Sequence, residues 1–425
     1  MAEAVLNPGR PPSGLSDDDL LDAVSRAALA YFWDFAHPVS GMTRERSGGA
    51  FGYDVERVVT TGGTGFGLMA LVVGAARGWL ARPAVVERIA TVAAFLEAAE
   101  HHEGVFPHFM DGATGATIPF SPTDDGGDLV ETSFLMAGLL TARQAFAEEA
   151  TLVATIDRLW RRVDWAAHVR QSDGGLMWHK SPRHPWTDKS LPIRGWNESL
   201  VTFVLATGSP THPIAPEIYH RSWARAEEFL NGATYYGIRL PLGPPMGGPL
   251  FLSHYSFLGI DPDGLRDAYA DYGEQVRAHV AINRAYCIDN PGRHAGYGPA
   301  CWGLTASDSP AGYAAHSPTN DLGVISPTAA VASLPFAPEA AMAALRHFVE
   351  DRGAALWGPY GLADAFAPAT GWVAPATLAI DQGPIVVMIE NYRTGLVWQL
   401  MMSAPEVAAG LRRLGFTSPR LAPTS

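Results

Sequence analysis

Cysteine is scarce: Cys287 and Cys301 are the two in 425 residues. Two thiols fourteen residues apart make neither a disulfide framework, a CxxC redox pair nor a four-thiolate zinc site. Cation is also short, 30 Lys and Arg against 43 Asp and Glu, a formal charge of -13. That average field opposes nucleic acid, which is set aside as a partner. No long run is both uncharged and unbroken. Val58 to Ala76 carries five glycines and three threonines, and Leu240 to Ile260 is interrupted by four prolines, so no membrane span is expected. The N-terminus lacks a basic stretch followed by an apolar one, so no secretory signal is visible and the expected location is the cytoplasm. It would be periplasmic or secreted if the native N-terminus lay upstream.

Strand signals are sparse too, whereas apolar residues recurring every three or four positions are common. After a Pro/Gly-rich lead, 1–15, taken as flexible, Ser16 followed by three aspartates marks a helix start. That helix runs to about residue 35. Further helices are expected near 62–79, 83–101, 127–148, 150–165, 195–207, 215–231, 263–280, 320–333, 337–352, 376–402 and 404–414. Long loops rich in Gly, Pro, Trp and His separate them, notably 102–125, 166–194, 235–260 and 287–319. About six helix pairs with no composition break across 16–425 suit a single all-α domain, an (α/α)6 toroid whose inner helices are apolar all round. Two all-α domains divided near 235–260 are the alternative. Loops this long in a compact chain point to function.

Polar residues concentrate at three loop-to-helix junctions. SPTDDGGDLVET (121–132) places four carboxylates just before an apolar run. Asp128 and Glu131, three apart, share a helix face, and Asp124 leans toward the same mouth. Helix capping alone explains Asp124 or Asp125 well, but Glu131 has apolar neighbours and needs a partner or a purpose. RGWNES (194–199) opens another apolar helix with Glu198. DQGPIVVMIENYR (381–393) begins with Asp381, and there Glu390 and Arg393 read most simply as a buried ion pair. First-turn acids and N-caps would be the plain explanation of Glu198 and Asp381. Paired carboxylates from distant helices are also what glycoside hydrolysis requires, one to protonate the leaving oxygen and one to activate water or attack. Trp33, Phe106, Trp178, Trp196, Tyr255, Trp302, Tyr313, Trp357 and Tyr360 lie in or beside the loops as candidate sugar platforms.

Other motifs are weaker. TGGTGFG (61–67) matches neither GxGxxG nor a P-loop, and close helix packing explains its glycines better. His101, His102, His179, His184 and His254 show no tight metal-ligand spacing, so no metal and no cofactor are expected. There is no GxSxG elbow.

Several long motifs in one order, TTGGTGFGLMAL (60–71), GVFPHFMD (104–111), DDGGDLVETSFLMAGLL (124–140), RGWNESL (194–200), SHYSFLGID (253–261), YGPACWGLTASDSPAGY (297–313) and DQGPIVVMIENYRTGLVW (381–398), resemble the glycoamylase-like family, which includes bacterial endo-β-1,2-glucanases. The resemblance covers about 20–415. It implies an (α/α)6 toroid and inverting hydrolysis of β-1,2-glucans or sophoro-oligosaccharides, with a neutral glucan as partner. It implies Glu198 as general acid and Asp381 as base. Asp124, Asp128 and Glu131 would line the same cleft, with Trp178, Trp196, Tyr255, Trp302, Tyr313, Trp357, Tyr360 and Arg393 as substrate-binding candidates. A non-catalytic glucan-binding protein, a transglycosylase of the same fold and a lyase are the competing readings; an acidic cleft suits a uronate lyase poorly.

Overall fold

The computed structural model describes residues 6–7, 9–48, 54–187 and 189–421. Helix α1 (Asp17–Asp34) starts as expected: the Ser16 hydroxyl accepts from the Asp19 amide, and three aspartates sit in the first turn, where the helix dipole favours them. It is followed by α2 (Thr61–Ala76), α3 (Arg82–Ala98), α4 (Leu129–Ala145), α5 (Ala150–Arg162) and α6 (Leu200–Gly208). Then come α7 (Tyr272–Asp289), α8 (Pro327–Val331), α9 (Pro338–Arg346), α10 (Gly353–Leu356), α11 (Ala379–Arg393), α12 (Leu396–Ser403) and α13 (Pro405–Arg413).

In α2, α4, α6 and α11 nearly every residue is buried whichever way it points, as in helices enclosed on all sides. α2 packs on α4 and α11, α4 on α6, and α8 on α11. Two short 3-10 turns, Leu250–Ser253 and Ser256–Leu258, complete the inner ring between α6 and α11. Outside it, α1 covers α2 and α11, α3 and α5 pack together, α7 backs the 3-10 turns, and α9 lies on α8. The result is an all-α (α/α)6 toroid. Its strands are pairings of two or three residues, such as Val58–Thr60 with Phe109–Asp111 and Gly127–Asp128 with His179–Lys180.

The glycines of 61–67 serve packing. A Cβ on Gly65 would fall 2.1 Å from the Phe134 carbonyl oxygen, and one on Gly138 2.2 Å from that of Gly65. Backbone therefore touches backbone where α2 crosses α4, and no larger residue fits.

Several expected helices differ, and 320–333 is helical only over Pro327–Val331. The stretch 376–402 is two helices, broken where Gly395 adopts φ +68°. Of 215–231, a π-helical segment Tyr219–Ala224 forms, packed on α6 by stacking of Trp223 on Phe203. The helix expected over 263–280 begins nine residues later, because Asp271 caps it by accepting from the Glu274 amide. The lead is not free where it is described: Leu6 is buried, and Asn7 donates to the carbonyls of Gly358 and Pro359. Residues 1–5 and 8 lie outside the described residues. Among the described residues no helix is long and apolar enough to cross a membrane.

Candidate active site

The N-terminal ends of four inner helices open on one cavity of about 220 Å³. Thr60 precedes α2, Glu131 lies in the first turn of α4, Glu198 stands two residues before α6, and Leu378, Ala379 and Ile380 start α11; all of them line it. Phe251 and Tyr255 come from the 3-10 wall, and Glu45, Arg46, His108, Phe109, Phe120, Trp178, Ala306 and Tyr313 from the loops.

Glu131 and Glu198 line the cavity, whereas Asp124 and Asp128, expected to line it too, are buried and are not among its lining residues. Asp128 caps α4, accepting from the Val130 and Glu131 amides at 3.0 Å each, and its other oxygen lies 3.0 Å from His108 Nδ1. The same His nitrogen is 3.9 Å from Asp124. Burial alone would depress His108, but the charges of Glu131, Asp128 and Asp124 overcome it and hold the ring protonated to about 9. Glu131 accepts from the Gly62 amide at 2.8 Å. A Cβ at Gly62 would meet that carboxylate oxygen at 2.5 Å, so the approach needs glycine. Burial raises Glu131, with Asp128 adding to it. Burial, with repulsion from Asp128, pushes Asp124 up to about 7, and one of its oxygens has no hydrogen-bond partner. Glu198 is pushed up to about 7 by burial and by the charges of Glu131 and Asp128.

His108, Asp124 and Asp128 each offer a ligand atom within 4.8 Å of the others, the one such group among the described residues. The same His108 nitrogen lies 3.0 Å from Asp128 and 3.9 Å from Asp124, so the three side chains form one hydrogen-bonded cluster.

Asp381 is buried and does not itself line the cavity. It lies in the first turn of α11, just beneath the lining residues, and is not an N-cap, since Leu378 occupies that position. Burial, then the neighbouring carboxyl of Asp364, raise it well above the ordinary range. Asp364 is itself pushed up to about 6 by burial. Behind them Arg46 binds Asp308 with Nη1 at 3.0 and 3.2 Å and Glu45 with Nε at 2.7 Å. Tyr255 lines the cavity, its ring stacked on Phe251 and its hydroxyl buried without a partner. That hydroxyl is close enough to Asp381, Glu198 and Glu131 for their charges to raise it further, after burial itself. A substrate oxygen entering the cavity meets an unsatisfied donor there.

The aromatic expectations divide. Trp178, Tyr255 and Tyr313 line the cavity. Trp196 and Trp302 do not: Trp196 packs among Trp223, Phe229, Phe257 and Tyr272, and Trp302 is fully buried. Both are core residues. Trp357 donates to Asn7 far from the cavity, and Tyr360 packs on Tyr31 and Phe35 against α1. Arg393, at the far end of α11, is bound by Asp22 and by the Asp18 carbonyl of α1, so it cannot reach a substrate. Nor does it pair with Glu390 as expected; Arg77 donates to Glu390 at 2.6 Å. Sequence reasoning missed Glu45, Arg46, His108, Phe120, Asp308 and Asp364. Phe120, half-exposed at the mouth, stacks on His108 with ring centroids 4.3 Å apart. A lone acid between apolar residues, as in GLADAF (361–366), was the available signal for Asp364.

The toroid and the acid-walled cavity define a class also seen in known proteins. The family model described as "Putative glucoamylase" matches residues 190–405. A solved structure of that same description, from Bacteroides uniformis, is 51% identical with a TM-score of 0.93, covering 97% of this chain and 100% of that one. An endo-β-1,2-glucanase from Chitinophaga pinensis, solved with sophorotriose and glucose, is 48% identical with a TM-score of 0.93, covering 96% of this chain and 100% of that one. The exo β-1,2-glucooligosaccharide sophorohydrolase of Parabacteroides distasonis is 43% identical over 94% of this chain, which spans 58% of that protein's length. The chain belongs to the glycoamylase-like family.

Proposed function

We propose that the protein is a glycoside hydrolase acting on β-1,2-glucans or sophoro-oligosaccharides, with inversion, by general acid and base catalysis from two carboxyl groups. The observation that supports this reading is Glu198 on the lining of an aromatic-walled cavity, with Asp381 in the first turn of α11 beside Leu378, Ala379 and Ile380, which line the same cavity. Glu198, protonated up to about 7, donates to the leaving glycosidic oxygen. Asp381 takes the proton of the water that attacks the anomeric carbon from the other face. Glu131 and His108 hold hydroxyls of the flanking sugars, with Asp124 and Asp128 orienting His108 from behind, and the rings of Trp178, Phe120 and Tyr313 stack against sugar faces. The similarity to proteins acting on β-1,2-linked glucose supports the linkage.

The test is incubation with β-1,2-glucan and sophoro-oligosaccharides beside β-1,3-glucan, β-1,4-glucan and amylose, with the products separated and assigned by NMR. Release of β-1,2-linked products alone is the expected result. Cleavage of amylose alone would overturn the linkage, and binding of β-1,2-glucan without any cleavage would overturn the catalytic reading.

A further inference from the structure

Glu45 lines the cavity, yet none of the roles proposed above falls to it. Its carboxylate accepts two hydrogen bonds from Arg46, from Nε at 2.7 Å and from Nη2 at 3.3 Å. An ion pair alone accounts poorly for it. Arg46 is 2% exposed, and its Nη1 already donates to both oxygens of Asp308, at 3.0 and 3.2 Å, so its charge is balanced without Glu45. Two carboxylates against one guanidinium leave a surplus negative charge in the wall, which is costly for groups this deep. Asp308 is sealed from solvent, whereas Glu45 reaches the cavity with 13% of its side chain exposed. Burial raises the Glu45 carboxyl, and the guanidinium beside it holds that rise back.

We propose that Glu45 is a specificity-determining residue: its two carboxylate oxygens accept hydrogen bonds from the vicinal 3- and 4-hydroxyls of one glucosyl unit of the substrate. This rests on the hydrolase reading and deepens it. A carboxylate oxygen accepts about two hydrogen bonds, and each oxygen of Glu45 takes one from Arg46. One place on each oxygen is left for a ligand, and two acceptors side by side match two neighbouring hydroxyls of a sugar ring. Bonds to an ionised acceptor are the stronger kind. The acceptor is also held in place. The Glu45 amide donates to the Val58 carbonyl at 3.3 Å, and its carbonyl accepts from the Ala379 amide at 3.0 Å. The Ser47 amide donates to the Thr377 carbonyl, also at 3.0 Å. The segment is thus stitched between Val58–Thr60 and the start of α11, and Arg46 fixes the side chain from behind. A carboxylate ordered in advance loses little freedom on binding.

The linkage of the chain gives this contact its meaning. An internal unit of a β-1,2-glucan is joined through its 1- and 2-oxygens, so the 3- and 4-hydroxyls are the one vicinal pair it keeps. A β-1,3 or β-1,4 linkage uses one of those two, and an ether oxygen donates no hydrogen bond. Glu45 would then lose water on binding without a replacement, which is the way a polar site rejects a ligand lacking a hydroxyl.

The test removes the same donors from the substrate. Values of kcat/KM, and affinities by calorimetry, are measured for wild type and Glu45→Gln on sophorotetraose and on four analogues, each lacking the 3- and 4-hydroxyls of one unit. On at least one analogue the wild type should lose at least about tenfold. Glu45→Gln keeps an oxygen for Arg46 and loses the charge. It should cost at least about tenfold on sophorotetraose and less than about threefold on that analogue, because the hydroxyls it serves are gone. A structural role for the ion pair would impair all five sugars by the same factor, and that result would overturn the proposal. Wild-type indifference to all four analogues would overturn it too, with no variant needed. So would full activity of Glu45→Gln on sophorotetraose. A wild type that binds sophorotetraose without cleaving it would refute the hydrolase reading and leave the Glu45 contact decided by the affinities, whereas one that neither binds nor cleaves it would overturn both.

Discussion

Glu198 and Asp381 set opposite requirements on pH. Glu198 must hold its proton, which burial and the charges of Glu131 and Asp128 secure up to about 7. Asp381, the proposed base, must have lost its proton, which burial and the neighbouring Asp364 resist by raising it above the ordinary range. The dependence of kcat/KM on pH should therefore be a bell, falling above about 7 as Glu198 ionises, with an acid limb set by the raised Asp381 carboxyl. A profile flat from about pH 4 to about pH 9 would rule out paired-carboxylate chemistry. Glu198→Gln and Asp381→Asn should each lower turnover at least about a hundredfold with the fold retained, since each removes a proton-transfer partner and little volume. Near-normal turnover in either folded variant would remove that residue from the mechanism. Glu198 also gives a stability signature. Its folded-state affinity for the proton exceeds the ordinary value of 4.5, so the charged form costs stability that grows as pH rises from 4.5 through about 7. Glu198→Gln should match the wild type in thermal unfolding near pH 4 and exceed it near pH 8, by on the order of 2 kcal/mol. The two proposed catalytic acids were legible because an acid opening an apolar helix is conspicuous along the chain. Asp364 and Asp308 were not, because their meaning lies in partners far away in the chain. Trp196 and Trp302 were misplaced for a related reason: a Trp near a loop looks the same in sequence whether its ring faces the core or the cavity.

Among the helices, the crossing of α2 over α4 is the tightest constraint. Gly65→Ala would drive a methyl into the Phe134 backbone, which cannot rotate away. It should destabilise the fold by about 3 kcal/mol or more and so depress both the melting temperature and the yield of active enzyme. Gly371→Ala, where a Cβ meets nothing within 4 Å though φ is +75°, should cost only the backbone strain, about 1 kcal/mol. Comparable melting temperatures for the two variants would contradict the close-packed crossing. Helices with strong periodicity, α1 to α5, were placed within a few residues by the sequence. The fourth inner wall was not, because 3-10 turns carry no 3.6-residue period and four prolines between Leu240 and Ile260 signal only a loop. Gly395 broke the last long helix through a positive φ that its apolar neighbours concealed.

At the scale of the molecule, the toroid brings chain segments hundreds of residues apart to one cavity, lined by Glu45 and by Leu378 to Ile380 from the two ends of the chain and by Glu198 from the middle of the sequence. The helix pairing was legible and its closure into a ring followed from it; which end would carry the site was less so, since that depends on all inner N-termini pointing one way. The acidic lining suits a neutral sugar and opposes a uronate polymer. Under the proposed roles, Glu198 and Asp381 come from different inner helices, and attack by water from the side opposite the leaving group would give inversion. The most direct test is early-time NMR of the reducing end released from a sophoro-oligosaccharide, read before mutarotation. The α-anomer as first product is expected from a β-linked substrate. The β-anomer first would mean retention through a covalent intermediate, and the roles given to Glu198 and Asp381 would be wrong.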